Sequence, residues 1–145
     1  MFSTRLGSWR IVIERRAFTD AELRGRYDAR SGRWQRSLEH WGSTTAYAHL
    51  ARQLIARDPG ALSAGSRILE CGAGTGALSL ALARASRASL DHHMVDRSPG
   101  MLSVARTCAA RQSIGASCIV GDVRRLPYGD AQFDLILAAH VLEHL

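Results

Sequence analysis

Residues Ser66 to Ala83 read S-R-I-L-E-C-G-A-G-T-G-A-L-S-L-A-L-A. A short apolar run, Arg67 to Glu70, meets three glycines at every second position, Gly72, Gly74 and Gly76, and an Ala/Leu-rich stretch follows at once. Strand, glycine turn and helix in that order bring backbone N–H groups and a helix N-terminus against a ligand. Side chains at the glycines would block close approach, and glycine tolerates the positive φ that such turns need. The stretch predicts a strand over 67–70, a ligand cradle at the glycines and a helix over 76–85.

The same rhythm continues downstream. A second strand is expected over 89–95, ending at Asp96. Ser98-Pro99 then supplies an N-cap and a proline at the first helical position. That helix is expected to run to about Gln112, with Met101, Leu102, Ala105, Cys108 and Ala109 on its inner face. A third strand, 117–121, ends in Gly121-Asp122. The turn-rich Leu126-Pro127-Tyr128-Gly129-Asp130 leads to a fourth, Phe133 to Ala138, and His140 to Leu145 read as the start of another helix. This alternation predicts an α/β chain with a Rossmann-like, doubly wound parallel sheet, partial at about four strands.

Upstream, residues 1–18 read as a frayed arm with Ile11 to Ile13 extended. Thr19 and Glu22 match a capping box, which opens a helix over about 20–30 that Ser31-Gly32 interrupts. Trp34, Leu38 and Trp41 give a second helical piece with one apolar face. After a break at Gly42-Ser43, Tyr47, Leu50, Leu54 and Ile55 mark a third, which stops before Pro59-Gly60. Residues 1–65 are thus an arm and helical cover, and residues 66–145 the sheet-bearing core.

A chain of 145 residues, 46% of them hydrophobic, suits one globular domain. No apolar run approaches the ~18 residues of a membrane span. Only three apolar residues, Ile11 to Ile13, run together before Glu14, too few for a signal peptide, so a cytoplasmic protein is expected. Cys71, Cys108 and Cys118 are odd in number and lack metal-ligand spacing; they read as small buried residues, with a nucleophilic Cys71 as the lesser reading. All 19 basic residues are arginine. Residues 1–60 carry 11 of them against six acids, and residues 61–145 carry eight against seven. A basic front half reads as a solvated surface, or as an attractor for an anionic substrate. No aromatic–basic interleaving or RNA-binding signature accompanies it, so nucleic acid is not an expected partner.

Ligands of open parallel sheets sit at the carboxyl ends of the strands. Polar residues gather there: Glu70, Asp96, Asp122 and His140 follow strands one to four in turn. These residues together resemble a class I S-adenosylmethionine-dependent methyltransferase, of the small-molecule branch that includes quinone-biosynthesis enzymes. I-L-E-C-G-A-G-T-G is similar to the family's first motif, M-V-D-R-S-P-G-M-L to its second, and the segment from Gly121 to Leu145 to its third and fourth. The resemblance covers residues 66–145.

The resemblance implies that Glu70 and the backbone at Gly72, Gly74 and Gly76 hold the methionine end of S-adenosylmethionine. Asp96 would accept the ribose hydroxyls, and Arg97 or Met101 would flank the adenine. Asp122 would meet its amino group, with the Val123 backbone nearby. His140 would border the transfer site, as general base for a hydroxyl or amine acceptor. The front helices would cover a small-molecule acceptor pocket lined by Tyr27, Trp34, Trp41 and Tyr47.

Two rival motifs are present. Gly72 to Ala77 also satisfies G-x-G-x-x-[GA], with Asp96 20 residues past Gly76, as in dinucleotide sites, so an NAD(P)-binding oxidoreductase domain is the lesser alternative. His140, Glu143 and His144 spell H-x-x-E-H, a zinc-protease pattern. The family's fold has seven strands, so the resemblance further predicts a core incomplete at its C-terminus. Strand four would then be an apolar edge open to self-association or to completion by a partner, and a cofactor-binding module without turnover is the alternative to an enzyme.

Overall fold

The computed structural model describes residues 2–6, 9–13, 18–40, 42–58, 60 and 62–141. In chain order the elements are β1 (Phe2–Leu6), β2 (Trp9–Ile13), α1 (Asp20–His40), α2 (Ser43–Arg57), β3 (Arg67–Cys71), α3 (Ala77–Ala85), β4 (Asp91–Asp96), α4 (Pro99–Arg111), β5 (Ala116–Val120) and β6 (Leu135–Ala138). No helix among the described residues is long and apolar enough to cross a membrane.

Four strands form one parallel sheet in the order β5-β4-β3-β6. The chain steps outward from β3 through α3 to β4 and through α4 to β5. It then returns past β3 to β6, pairing Ile68 with Leu135 and Glu70 with Leu137. That reversal is the topological switch point of a doubly wound sheet, and the crevice it opens lies at the carboxyl ends of β3 and β6. Among the described residues no strand pairs with the outer side of β6, where Ile136 is 60% exposed.

Alternate residues of the strands bury one face beneath the helices. Ile68, Leu137, Leu78, Leu82 and Ala51 form one cluster, with Leu54 and Ile55 of α2 packed on it. Met94, Leu80, Leu102, Ala105 and Ala109 form the second, between α3, α4 and the outer strands. Leu82 and Leu102 are wholly buried, and each such side chain contributes about 1.5–3 kcal/mol. On the other face Tyr128 and Phe133 fold back against His93 from the β5–β6 connection, each ring edge-on to it.

Two expectations are corrected. Residues 2–6 and 9–13 are not a frayed arm but an antiparallel hairpin, registered from Phe2 opposite Ile13 to Leu6 opposite Trp9. Ser31-Gly32 does not interrupt α1: the Ser31 hydroxyl donates to the Asp28 carbonyl at 2.8 Å and the helix continues to His40. His140 has a left-handed φ of +55°, and the rest of the helix expected over 140–145 lies, from 142 on, outside the described residues. The caps agree with expectation. Thr19 N–H donates to Glu22 Oε2 at 2.9 Å and Glu22 N–H to Thr19 Oγ1 at 3.3 Å. Ser98 Oγ accepts from Met101 N–H at 3.0 Å.

Candidate functional site

A cavity of about 700 Å³ opens at the carboxyl ends of β3 and β4, walled by the turn after β3 on one side and by α1 on the other. Its size falls in the range of small-molecule sites. Gly72 and Gly74 line it, while Gly76 does not. Gly74 has φ +53° with empty space where a Cβ would stand. Gly76 has φ +72°, and a Cβ there would lie 2.8 Å from Met94 Sδ, so this glycine lets α3 pack closely on β4. The three predicted cradle glycines thus divide into two at the cavity and one in the core beneath it.

Two carboxylates face the cradle. Glu70, 4% exposed, accepts from Ser79 N–H at 3.0 Å and so caps the first turn of α3 from the preceding strand. Burial pushes its pKa up to about 7; hydrogen bonding from Ser79 opposes the shift and the nearby Asp96 charge adds to it. Asp96 accepts from Gly74 N–H and from Ser98 N–H, both at 2.8 Å. Burial raises its pKa and these backbone donors pull it back. An ionised carboxylate offers about four acceptor positions, so Asp96 fixes the turn and keeps capacity for further donors.

The α1 wall is held by polar docking. Asp28 Oδ1 accepts from Ser98 Oγ at 2.5 Å and from Gly100 N–H at 2.9 Å, adding to the cap of α4. Thr75 Oγ1 donates to Gln35 Oε1 at 3.2 Å. At the start of α1, Asp20 joins Arg97 (2.7 Å) and Arg124 (2.6 Å), and both arginines also bind Asp122. The Arg124 and Arg97 guanidinium groups hold the Asp122 carboxyl well below the usual range.

Of the sequence-predicted residues, Glu70, Gly72, Gly74, Asp96, Arg97, Met101, Val123 and His140 converge on this cavity. Asp122 does not line it: its carboxylate is committed to Arg97 and Arg124. In that pairing Asp122 anchors Arg97, which lines the cavity. Tyr27, Trp34 and Tyr47 do line the cavity, the first two edge-on with centroids 5.8 Å apart; Trp41 lies outside the described residues. Glu143 and His144 of the H-x-x-E-H pattern also lie outside them, and no group of three or more metal-ligating side chains occurs among the described residues. Cys71 is half-buried, and burial pushes its thiol pKa up, opposite to what a nucleophile requires.

Sequence reading missed Arg24, Arg30, Arg33 and Thr75, all on the cavity wall. The signal was available in α1: Tyr27, Arg30 and Trp34 recur at i, i+3 and i+7, the spacing of one helical face.

Comparison with known proteins follows the same lines. A family model described as "Methyltransferase domain" matches residues 68–145. Ajmaline N-methyltransferase of Rauvolfia serpentina is 34% identical over 80 residues, 54% of this chain and 27% of that protein. A candidate S-adenosyl-L-methionine-dependent methyltransferase from Methanococcus maripaludis superposes with TM-score 0.60 at 26% identity, covering 92% of this chain and 56% of that one. Magnesium protoporphyrin IX methyltransferase from Synechocystis, solved with bound SAM, gives TM-score 0.70 at 21% identity, covering 90% and 66%; at that identity it speaks for the fold. The chain spans just over a quarter of its curated relative and little more than half of the archaeal structure. With its glycine turn, strand-end carboxylates and sheet order all inside the matched segment, the chain belongs to the methyltransferase domain family, in its class I, S-adenosylmethionine-dependent form.

Proposed function

We propose that this chain binds S-adenosylmethionine in the 700 Å³ cavity and serves methyl transfer to a small-molecule acceptor seated against α1. The observation that carries the reading is the hydrogen bond from Gly74 N–H to Asp96, which fixes a glycine turn open at Gly74, beside the buried Glu70 and the half-buried Asp96. The residues present fit that cofactor. The open backbone at Gly74 admits the methionine end, with Gly72 beside it packed against Val141, and Glu70 lies next to them to meet an ammonium group. Asp96 has acceptor capacity for two vicinal hydroxyls. Met101 and Val123 flank the adenine, and Arg97, fixed by Asp20 and Asp122, closes that end. Residues 1–65 supply the cover and residues 66–145 the cofactor half.

When bound, the sulfonium supplies a methyl group on an already good leaving group. The protein's own work is alignment and exclusion of water. Tyr27, Trp34 and Tyr47 shield the cavity on the α1 and α2 side. His140 lines the cavity, which supports a role for it in accepting a proton from a hydroxyl or amine acceptor.

Titration calorimetry and thermal unfolding with S-adenosylhomocysteine, beside NAD, test the reading. The former at a hundred times its Kd should add about 2.7 kcal/mol of stability, and NAD should add none. Stabilisation by NAD alone would assign the turn to a dinucleotide instead. His140→Ala should leave S-adenosylhomocysteine affinity unchanged and lower turnover, once an acceptor is in hand, by about a hundredfold or more.

A further inference from the structure

The two walls of the cavity carry opposite charge. The cradle wall presents Glu70 and Asp96; the α1 wall presents Arg24, Arg30 and Arg33. These three arginines make no ion pair among the described residues. Among the described residues, the nearby carboxylates are committed elsewhere. Asp20 binds Arg97 and Arg124, Asp28 caps α4, and Glu22 closes the capping box with Thr19. Arg97, the remaining cation on the cavity, is already matched by Asp20 and Asp122.

A charge balance over the filled site shows what is still wanting. S-adenosylmethionine carries a sulfonium, an ammonium and one carboxylate, a net single positive charge, and Glu70 and Asp96 lie on its side of the cavity. The cofactor's one carboxylate can pair with one of the three α1 arginines, and two cations are then left over on that wall. All three arginines are exposed where they line the cavity, so their charge acts at short range, on a group in the other half that pairs with them directly. That half is also apolar and aromatic, because Tyr27 and Trp34 stand three residues before and four after Arg30 on the same helical face.

We infer that the acceptor is a small aromatic or otherwise apolar molecule bearing a carboxylate. Arg30 and Arg33 receive the carboxylate, and Tyr27 and Trp34 pack its body. A guanidinium suits this task, since its planar fork pairs two N–H groups with a carboxylate and stays charged at every accessible pH. The inference rests on the methyltransferase reading above and adds the acceptor class to it.

The test uses the full chain saturated with S-adenosylhomocysteine. The probes are benzoate, cinnamate and indole-3-carboxylate, each titrated beside its neutral amide at low salt. At least one acid should bind about tenfold more tightly than its amide, the scale of a charge-assisted hydrogen-bonded pair. In the Arg30→Ala/Arg33→Ala double variant that preference should shrink to about twofold or less, the residue left to screened surface charges, with S-adenosylhomocysteine affinity unchanged. The Arg30→Lys/Arg33→Lys variant should keep part of the preference, because charge persists without the fork. Three results overturn the inference: no acid outbinds its amide; the preference survives the alanine pair; or the alanine pair weakens S-adenosylhomocysteine instead, which would assign the arginines to the cofactor's carboxylate. If S-adenosylhomocysteine fails to bind the parent chain, the methyltransferase reading itself fails, an outcome distinct from the other three.

Discussion

An alanine methyl at Gly74 would meet nothing within 4 Å, whereas at Gly76 it would press on Met94 Sδ and Cε, at 2.8 and 3.0 Å, inside the core. Both glycines have positive φ, so each substitution carries a backbone cost of about 1 kcal/mol or more. Gly76→Ala adds overpacking, for a total loss of about 2–4 kcal/mol in urea unfolding. Gly74→Ala should lose only the backbone part, yet its methyl projects into the cavity, so S-adenosylhomocysteine affinity should fall about tenfold or more by calorimetry. The glycine spacing was legible in the sequence; the division of labour was not, because it depends on Met94, one strand away. Asp122 teaches the same lesson. Its place after β5 was legible, but its commitment to Arg97 and Arg124 depends on which arginines the fold brings near it.

Helix α1 shows how tertiary contact overrides a local signal. Gly32 costs about 1 kcal/mol against alanine in a helix interior, and Ser31-Gly32 accordingly reads as a break. One turn earlier, Asp28 docks on the first turn of α4, and its bonds to Ser98 and Gly100 hold that part of α1 helical. Gly100 permits the approach, since a Cβ there would stand 3.0 Å from Asp28 Oδ1 and Ser31 Oγ. Asp28→Ala leaves the Ser98 hydroxyl and the Gly100 N–H without this acceptor and should cost about 1–2 kcal/mol. Urea unfolding checks the loss, and Asp28→Asn, which keeps an acceptor oxygen, should recover part of it. At the hairpin the misreading was of another kind. Gly7-Ser8 between two short β-prone runs is a two-residue hairpin signal, whereas a frayed arm with only Ile11 to Ile13 extended takes in half of that pattern.

Across the whole molecule, two buried ionisable groups on the sheet's helix-covered face set opposing pH limits. Glu70 ionises at about 7 when folded and near 4.5 otherwise. Between those values the folded state keeps a proton that the unfolded state has released, so stability falls as pH rises through the interval. His92, 2% exposed and without a ring hydrogen bond among the described residues, has its pKa lowered from 6.5 by burial. Its unfolded form protonates first, so its contribution is complete above pH 6.5 and is lost as pH falls below it. Glu70→Gln removes the first limb and leaves the second. The unfolding free energy of the variant relative to the parent should therefore rise by about 2 kcal/mol between pH 5 and pH 8. A flat difference across that range would show that Glu70 is already ionised at pH 5 in the folded chain.

The sequence by itself determined the order of strands and helices in the core, the glycine turn, the caps at Thr19 and Ser98, and the family. Each of these is written in residues within one or two turns of each other, where spacing and backbone preference suffice. Only the tertiary structure decided that α1 runs unbroken, that Gly76 belongs to the core, that Asp122 pairs with Arg97 and Arg124, and that Arg24, Arg30 and Arg33 reach the cavity wall. Those outcomes hang on pairs such as Asp28 with Ser98, 70 residues apart, and Arg124 with Asp20, 104 apart. Burial and charge pairing at that range are properties of the packed chain, and no local pattern encodes them.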